Sequence, residues 1–456
     1  MRRHETIEMV GDFETTVYES QTSTEVWASA LVPLFSEKVI VHNSIDDAFK
    51  YLFSMKKDVV VYYHNLKFDG SFWLDFLYTQ GFKQVDVNTK PWEMKNKTFK
   101  CLISDMGAWY TVTIRYKNYL VTLRDSLKLL PFSVAKIGKD FKTKHQKLEI
   151  EYTGFRYKGG YISPEERKYI ENDVLVVKEA LEILKSEGHE KTTIGSCCLD
   201  EYKMIMNDTY KAYFYDLTEY RYKEFNLDTY IRKSYRGGWC YLKRGCKNII
   251  YKYGCTADVN SLYPSMMSSE SGNYYPVGEP HLFDASEFNS IKDRPTSELY
   301  YFVRFTCGFK IKPNYLPFVQ IKGTYLYKSN EMLETSEIFD KKQNKYVRYY
   351  IDREGNLHDT NKTEMCMTCT DFRLFLEHYD VYNLQILDGV YFKTAIGIFD
   401  EYIEKYKKIK MTSKGALRQL AKLFLNNLYG KFATNPENRR KVAKYDGAKV
   451  SYNIIQ

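Results

Sequence analysis

The stretch Asp258-Val259-Asn260-Ser261-Leu262-Tyr263-Pro264 constrains this 456-residue chain more than any other. Thr256 and Ala257 lead into Asp258 as the end of a buried strand would, and Ser-Leu-Tyr-Pro then turns the chain sharply away. The pattern predicts a carboxylate at a strand end beside a bulky aromatic, Tyr263. A chain of this length is too long for one core, so two to four domains are expected. Its residues are 44% apolar and 16% aromatic, including 42 Tyr and 27 Phe. That is enough to bury several cores and excludes disorder for most of the length.

The texture changes along the chain. Up to about residue 190, short strands such as 59–63 alternate with amphipathic helices, which reads as a mixed α/β layer. A second region begins near Ile194. Residues 270–397 are polar and strand-like, with a hairpin turn at 352–356, and read as an insertion. Residues 401–450 hold 13 Lys and Arg against 4 acids, while the rest of the chain balances at 54 of each. So basic a segment, beside aromatics, suits phosphate contacts. Nine cysteines, an odd number with no paired metal-knuckle spacing, point to a reducing compartment. The chain starts without a signal-peptide pattern and has no apolar run near the ~18 residues that span a bilayer. A cytoplasmic protein with no membrane partner is expected.

Four acids in the first region have informative spacing. Asp12 and Glu14 are two apart on an expected strand, 10–15, so both point to one face. Asp69 follows a buried strand, in His64-Asn65-Leu66-Lys67-Phe68-Asp69-Gly70. Asp173 lies on a helix opened by Ser163-Pro164-Glu165-Glu166, four residues after Tyr169 and on the same face. Hard oxygen ligands converging from two strands and a helix would hold two Mg²⁺ or Mn²⁺ ions, one to activate water and one to stabilise a departing 3′ oxygen. That chemistry is phosphodiester hydrolysis.

A further helix is predicted over 412–429, capped by Thr412 or Ser413 and ended by Gly430. Leu417, Leu420, Phe424 and Leu428 form its apolar stripe. Lys410, Lys414, Arg418 and Lys422 step by four along a neighbouring stripe, and Tyr429 falls nearly on the same line. Cations and an aromatic on one face suit a nucleoside triphosphate.

These motifs together resemble the protein-primed B-family DNA polymerases of short-tailed phages and linear plasmids, over nearly the whole chain. Asp12-Phe13-Glu14, the His64–Gly70 string and Tyr169-Ile170-Glu171-Asn172-Asp173 are similar to that family's three exonuclease motifs. The resemblance implies a catalytic role for Lys147, and DNA or priming-protein contacts for His64, Asn65, Phe68, Ser126, Leu127 and Phe132. It makes Tyr235-Arg236-Gly237-Gly238 a linker that helps move primer between two active sites. Asp258 and the Val259 carbonyl would bind metal, and Tyr263 would pack under the sugar and exclude a 2′-hydroxyl. Lys410, Arg418 and Lys422 would hold the triphosphate, Arg418 standing where the family is expected to carry lysine. Asn426 and Tyr429 would contact the nascent base pair.

The implied fold is multidomain α/β and α+β, an RNase H-like exonuclease domain followed by a partial right-hand polymerase without a thumb. Its expected parts are an exonuclease domain at 1–193, the start of the palm at 194–269 and an insertion that docks the priming protein at 270–397. Fingers at 398–433 and the start of a second insertion or palm at 434–456 complete it. The implied partners are primer–template DNA, deoxynucleoside triphosphates and a terminal protein. The family's later motif with a second palm aspartate has no counterpart, since no Asp-x-Asp occurs and 27 residues follow Tyr429. A truncated reading frame, or one half of a split gene completed by a second polypeptide, is therefore expected, with poor synthesis by this chain alone. A stand-alone 3′–5′ exonuclease and a non-catalytic DNA-binding or priming-protein-binding subunit are the alternatives.

Overall fold

Met9, Val10 and Phe13 with the apolar run at 59–63 build the centre of a sheet in the computed structural model, which describes residues 5–151, 154–324 and 326–455. The chain forms two units, Met1–Tyr202 with Glu404–Gln456, and Lys203–Ile403. These breaks, after 202 and 403, lie near the expected ones after 193 and 397. The expected boundaries after 269 and 433 fall inside single units.

In the first unit β1 (Thr6–Thr15) is flanked by antiparallel β2 (Val26–Pro33) and parallel β4 (Asp58–Tyr63), with β3 (Ile40–His42) outside β2. The sheet continues from β4 through β8 (Tyr119–Asp125) and β7 (Trp109–Tyr116) to β6 (Thr98–Ser104), beside which short β5 (Lys83–Gln84) pairs. Helix α1 (Ile45–Ser54) starts where Ser44 Oγ accepts the Asp47 amide. Helix α2 (Leu66–Thr79) buries Trp73, Leu74 and Leu77 in a core with Phe99, Val112 and Leu123. Each such side chain, fully buried, contributes about 1.5–3 kcal/mol. A Cβ at Gly70 would lie 2.8 Å from the Trp109 ring, so the glycine lets α2 approach β7. Helix α3 (Val134–Phe141) is capped by Ser133, and α4 (Pro164–Ser186) opens with the predicted capping box of Ser163 and Glu166.

Three expectations are corrected. Residues 434–456 extend this first sheet instead of starting a separate part. Strand Arg440–Tyr445 pairs with β6 and with Val450–Ile455, and Tyr445 stacks on Tyr78 at 5.0 Å. An edge strand with unsatisfied backbone groups recruits further strands in this way. The helix predicted over 412–429 is two helices, Asp400–Thr412 and Gly415–Asn427, followed by a short turn at Tyr429–Phe432. Thr412 Oγ1 bonds back to the Lys408 carbonyl at 2.9 Å and so belongs to the end of one helix, not the cap of the next. Gly415 has φ +60°, a left-handed conformation that breaks the run. Finally, residues 255–260 form no strand and are exposed. A strand requires a ladder partner, and among the described residues none pairs with this segment.

The second unit is built on an antiparallel sheet in the order Tyr275–Asp284, Tyr379–Ala395, Leu299–Ile311 and Glu364–Thr368. Residues 270–397, read as an insertion, thus supply the main core of this unit, with Phe305, Phe309, Phe372 and Phe375 at its centre. The expected hairpin forms from Tyr349–Ile351 and Leu357–Asp359. The strand Lys345–Val347 before it pairs elsewhere, with Ile338–Asp340.

Asp388 ties the sheet to the helix Leu227–Arg232, shortly before Tyr235-Arg236-Gly237-Gly238. Its carboxylate accepts from Arg304 Nε at 2.9 Å and Nη2 at 2.6 Å, from Tyr230 Oη at 2.9 Å, from Lys223 Nζ at 3.2 Å and from Tyr222 Oη. Burial alone would raise this carboxyl; its donors, Arg304 foremost, outweigh burial and bring it down to about 2. A depressed carboxyl stabilises fully above its unfolded value and loses that contribution as pH falls toward 2. Asp388→Asn should cost the second unit on the order of 3 kcal/mol near pH 7, because it leaves the buried Arg304 with only the half-exposed Glu364 as a carboxylate partner. In urea unfolding the gap between wild type and variant should hold at neutral pH and shrink below about pH 4.

Candidate active site

Strand β1 and helices α2 and α4 bring the four acids together. Asp12 and Glu14 share one face of β1, as the two-residue spacing predicts. Asp173 reaches the same place from α4, and carboxylate oxygens of these three residues lie within 4.8 Å of one another. Asp69 stands in the first turn of α2, so one strand and two helices, not two strands and a helix, carry the four acids. It lies outside that closest trio but is fully buried, and its Oδ1 accepts the Phe13 amide of β1 at 3.1 Å.

The cluster is electrostatically frustrated. Burial, then the charges of Asp69, Glu14 and Asp173, push the Asp12 carboxyl well above its ordinary range. Burial does the same to Asp69 against the Phe13 amide, and raises Asp173 against the pull of Lys147. Lys147 Nζ lies 2.5 Å from Asp173 Oδ2 and 3.4 Å from Tyr169 Oη. Asp173 Oδ1 is buried and has no hydrogen-bond partner among the described residues. An orphaned carboxylate oxygen beside two further carboxylates fits a divalent cation with hard oxygen ligands, which would be held by Asp12, Glu14 and Asp173 with Asp69 adjacent.

Beside this cluster, the expected single-strand contacts fall into two kinds. Phe68 is 45% exposed and meets Phe72 edge-on, with ring centroids 5.3 Å apart. Asn65 is exposed and left-handed, with φ +79°, a conformation asparagine tolerates, and Asp125 Oδ1 accepts its amide at 3.0 Å. Ser126, in contrast, is buried. Its hydroxyl lies 3.0 Å from His64 Nδ1 and 3.1 Å from the Tyr63 carbonyl. His64 Nε2 lies 2.6 Å from the Phe132 carbonyl, which can only accept, so Nε2 carries the proton. Burial keeps His64 below its ordinary value and thus neutral at pH 7. Leu127 and Phe132 are half-buried.

Sequence reasoning missed Asp125, whose Oδ1 also accepts the Leu127 amide at 3.0 Å. An Asp directly before a Ser-Leu turn is a recognisable capping signal. It also missed Phe72, four after Phe68 and hence on the same helical face.

The remaining candidates are not gathered in one unit. Asp258, Val259 and Tyr263 belong to the second, where all three are exposed and Ser261, in the left-handed region, starts the helix Leu262–Met267. Tyr235 is exposed, and Arg236, half-buried, pairs with Asp371 at 3.4 Å and bonds the Gln320 carbonyl at 3.4 Å. Nothing lies within 4 Å of a Cβ built on Gly237 or Gly238. Lys410, Arg418, Lys422, Asn426 and Tyr429 belong to the first unit. Lys410 sits on the earlier helix, so the four-step cation stripe is interrupted, and Arg418 Nη1 bonds the Lys410 carbonyl across the break at 2.6 Å.

The raised carboxyls cost the metal-free fold stability at neutral pH. Asp12→Asn removes one of the repelling charges and should stabilise the metal-free protein, by on the order of 1 kcal/mol. Saturating Mg²⁺ should raise the melting temperature of the wild type and much less that of the variant, as thermal unfolding with and without EDTA would show.

A family model described as DNA polymerase type B, organellar and viral, matches residues 51–161 and 156–454. The DNA polymerase of Bacillus phage phi29 is 36% identical over 440 residues, covering 94% of this chain and 68% of the relative. That of Streptococcus phage Cp-1 is 28% identical, over 96% of this chain and 71% of the relative. The solved structure of phi29 DNA polymerase with primer–template DNA and incoming nucleotides superposes with a TM-score of 0.80 at 33% identity, over 98% of this chain and 72% of that one. With its binary primer–template complex the TM-score is 0.79 at 31% identity. The chain thus belongs to the phi29-type, protein-primed family B DNA polymerases.

Proposed function

We propose that the first unit is a 3′–5′ exonuclease that proofreads for a DNA-directed polymerase active in protein-primed replication. The observation that carries this reading is the convergence of Asp12, Glu14 and Asp173 within 4.8 Å, with the orphaned Asp173 oxygen. Divalent cations, Mg²⁺ or Mn²⁺, would supply an activated water and charge stabilisation at the departing 3′ oxygen. The chain's own residues orient and neutralise. Lys147 holds one Asp173 oxygen and leaves the other for a ligand, and with Tyr169 beside it would help to orient an attacking water. Phe68 offers an exposed ring on which a terminal base can stack, worth about 1–3 kcal/mol. His64, neutral and locked by Ser126 and Phe132, can present no positive charge, so it shapes the strand's path instead of binding phosphate.

For synthesis, Asp258 and the Val259 carbonyl are the proposed metal ligands and Tyr263 the proposed sugar-excluding ring. Lys410, Arg418 and Lys422 would take the triphosphate, with Asn426 and Tyr429 at the nascent pair, and Tyr235, Arg236, Gly237 and Gly238 against DNA. The proposed partners are primer–template DNA, deoxynucleoside triphosphates and a priming protein. The phi29 structures with primer–template DNA and incoming nucleotides favour the first two.

The test is a 5′-labelled primer on a longer template with Mg²⁺, with and without the four deoxynucleotides. Shortening without nucleotides is expected, and Asp12→Ala should slow it on the order of 10²- to 10³-fold, the loss typical when one group that stabilises developing charge is removed. Shortening that persists in Asp12→Ala would sink the exonuclease assignment. Primer extension with nucleotides would show synthesis by the chain alone, and its loss in Asp258→Ala would tie synthesis to that carboxylate.

A further inference from the structure

Lys147 is not on the sheet or on a helix, yet its ammonium meets Asp173 Oδ2 at 2.5 Å and Tyr169 Oη at 3.4 Å. It ends a loop that leaves α3 at Lys142, a left-handed residue with φ +53°. Two turns of α4 hold this loop from the side. Glu179 Oε2 accepts the His145 backbone amide at 3.1 Å, and its Oε1 lies 2.5 Å from His145 Nδ1. Asn172, seven residues earlier and therefore on the same face of α4, donates from Nδ2 to the Gln146 carbonyl at 2.8 Å. Inside the loop, Thr143 Oγ1 bonds the His145 carbonyl at 2.6 Å, and Gln146 Nε2 bonds the carbonyls of Gly138 at 2.9 Å and Thr143 at 2.8 Å. Among the described residues, Glu179 is the charged group that grips both the backbone and a side chain of this loop, and both it and His145 are largely buried, at 14% and 24% side-chain exposure.

We propose that Glu179 is a positioning residue for the exonuclease site: by clasping His145 it holds the loop so that Lys147 reaches Asp173 and Tyr169. This rests on the exonuclease reading above. Glu179 is not one of the three carboxylates that converge within 4.8 Å, and Asp173 lies six residues before it on the same helix. A charge-assisted bond to an amide and an imidazole is stronger than a neutral one, and the loop it fixes carries a cation whose displacement by about 1 Å would cost on the order of 100-fold in rate. Glu179→Ala removes both grips, Glu179→Gln keeps an acceptor for the amide, and His145→Ala keeps the amide but removes the ring.

Two measurements test the clasp. In metal-free protein, hydrogen–deuterium exchange of residues 143–147 should quicken in Glu179→Ala, and less in Glu179→Gln, while exchange in β1 and β4 stays as in wild type. With Mg²⁺ and a single-stranded oligonucleotide, Glu179→Ala should lower kcat on the order of 10- to 100-fold with KM within about twofold, and Glu179→Gln should recover most of the loss. Added to Lys147→Ala, Glu179→Ala should cost nothing further, because the clasp acts only through that lysine. If Glu179→Ala does not fold, His145→Ala and Glu179→Gln carry the same comparison. A wild type that cuts and a Glu179→Ala that cuts as fast, or a full additional loss in the Lys147→Ala background, would refute the clasp and leave the exonuclease standing. A wild type that leaves single strands intact would overturn the exonuclease and the clasp together.

Discussion

Four carboxylates cannot be crowded into a half-buried cleft unless something else in the fold holds them there. Burial lifts Asp12, Asp69 and Asp173 above their ordinary ionisation range, joined at Asp12 and Asp69 by repulsion from neighbouring carboxylates, so the cluster opposes folding at neutral pH. What opposes that repulsion is the core beneath it. Strand β1 is locked between β2 and β4, α2 is anchored by Trp73 and Leu77, and α4 lays a buried face of Val174, Val177 and Leu181 in the interior. Packing spends stability to keep like charges together, as expected of a site whose charge is completed by a ligand.

The backbone has a direct part in this arrangement. The Phe13 amide lies between the two acids of β1 in sequence and donates to Asp69, so the strand that carries Asp12 and Glu14 also orients the acid from α2. Asp125 plays a comparable role one layer away, accepting the amides of both Asn65 and Leu127 and so joining the exposed asparagine turn to the end of β8. The second unit solves a related problem in the opposite sense. There one carboxylate, Asp388, is surrounded by donors and its charge is favoured, and one of those donors, Tyr230, belongs to the helix Leu227–Arg232.

Much of the acidic site was legible because its signals are local. Asp12-x-Glu14 on a strand, the Ser163 capping box and the Tyr169/Asp173 spacing each follow from backbone periodicity, and each is realised in the structure. Local signals misled where the outcome depended on neighbours. The helix over 412–429 has an unbroken apolar period, yet a left-handed Gly415 divides it and moves Lys410 to a different helix from Arg418. Asp258 follows two residues that suit a strand, yet a strand is made by its partner, and among the described residues none pairs there. Residues 270–397 look polar in one dimension, but their aromatic residues alternate onto one face and close a core.

The sequence by itself determined the family and the local placing of the acids, because both are written in residue identity and short spacing: two acids two apart on a strand, a tyrosine and an aspartate four apart on a helix, and motif strings in a fixed order. Only the tertiary structure decided how the pieces serve one another. It brought Asp69 to the site on a helix, joined residues 440–455 to the edge of β6, buried Ser126 beneath His64, and placed Glu179 where it holds the loop of Lys147. These contacts join residues 34 to 338 positions apart, or depend on which face of a helix a neighbour covers, and no periodicity within a single segment encodes such pairings.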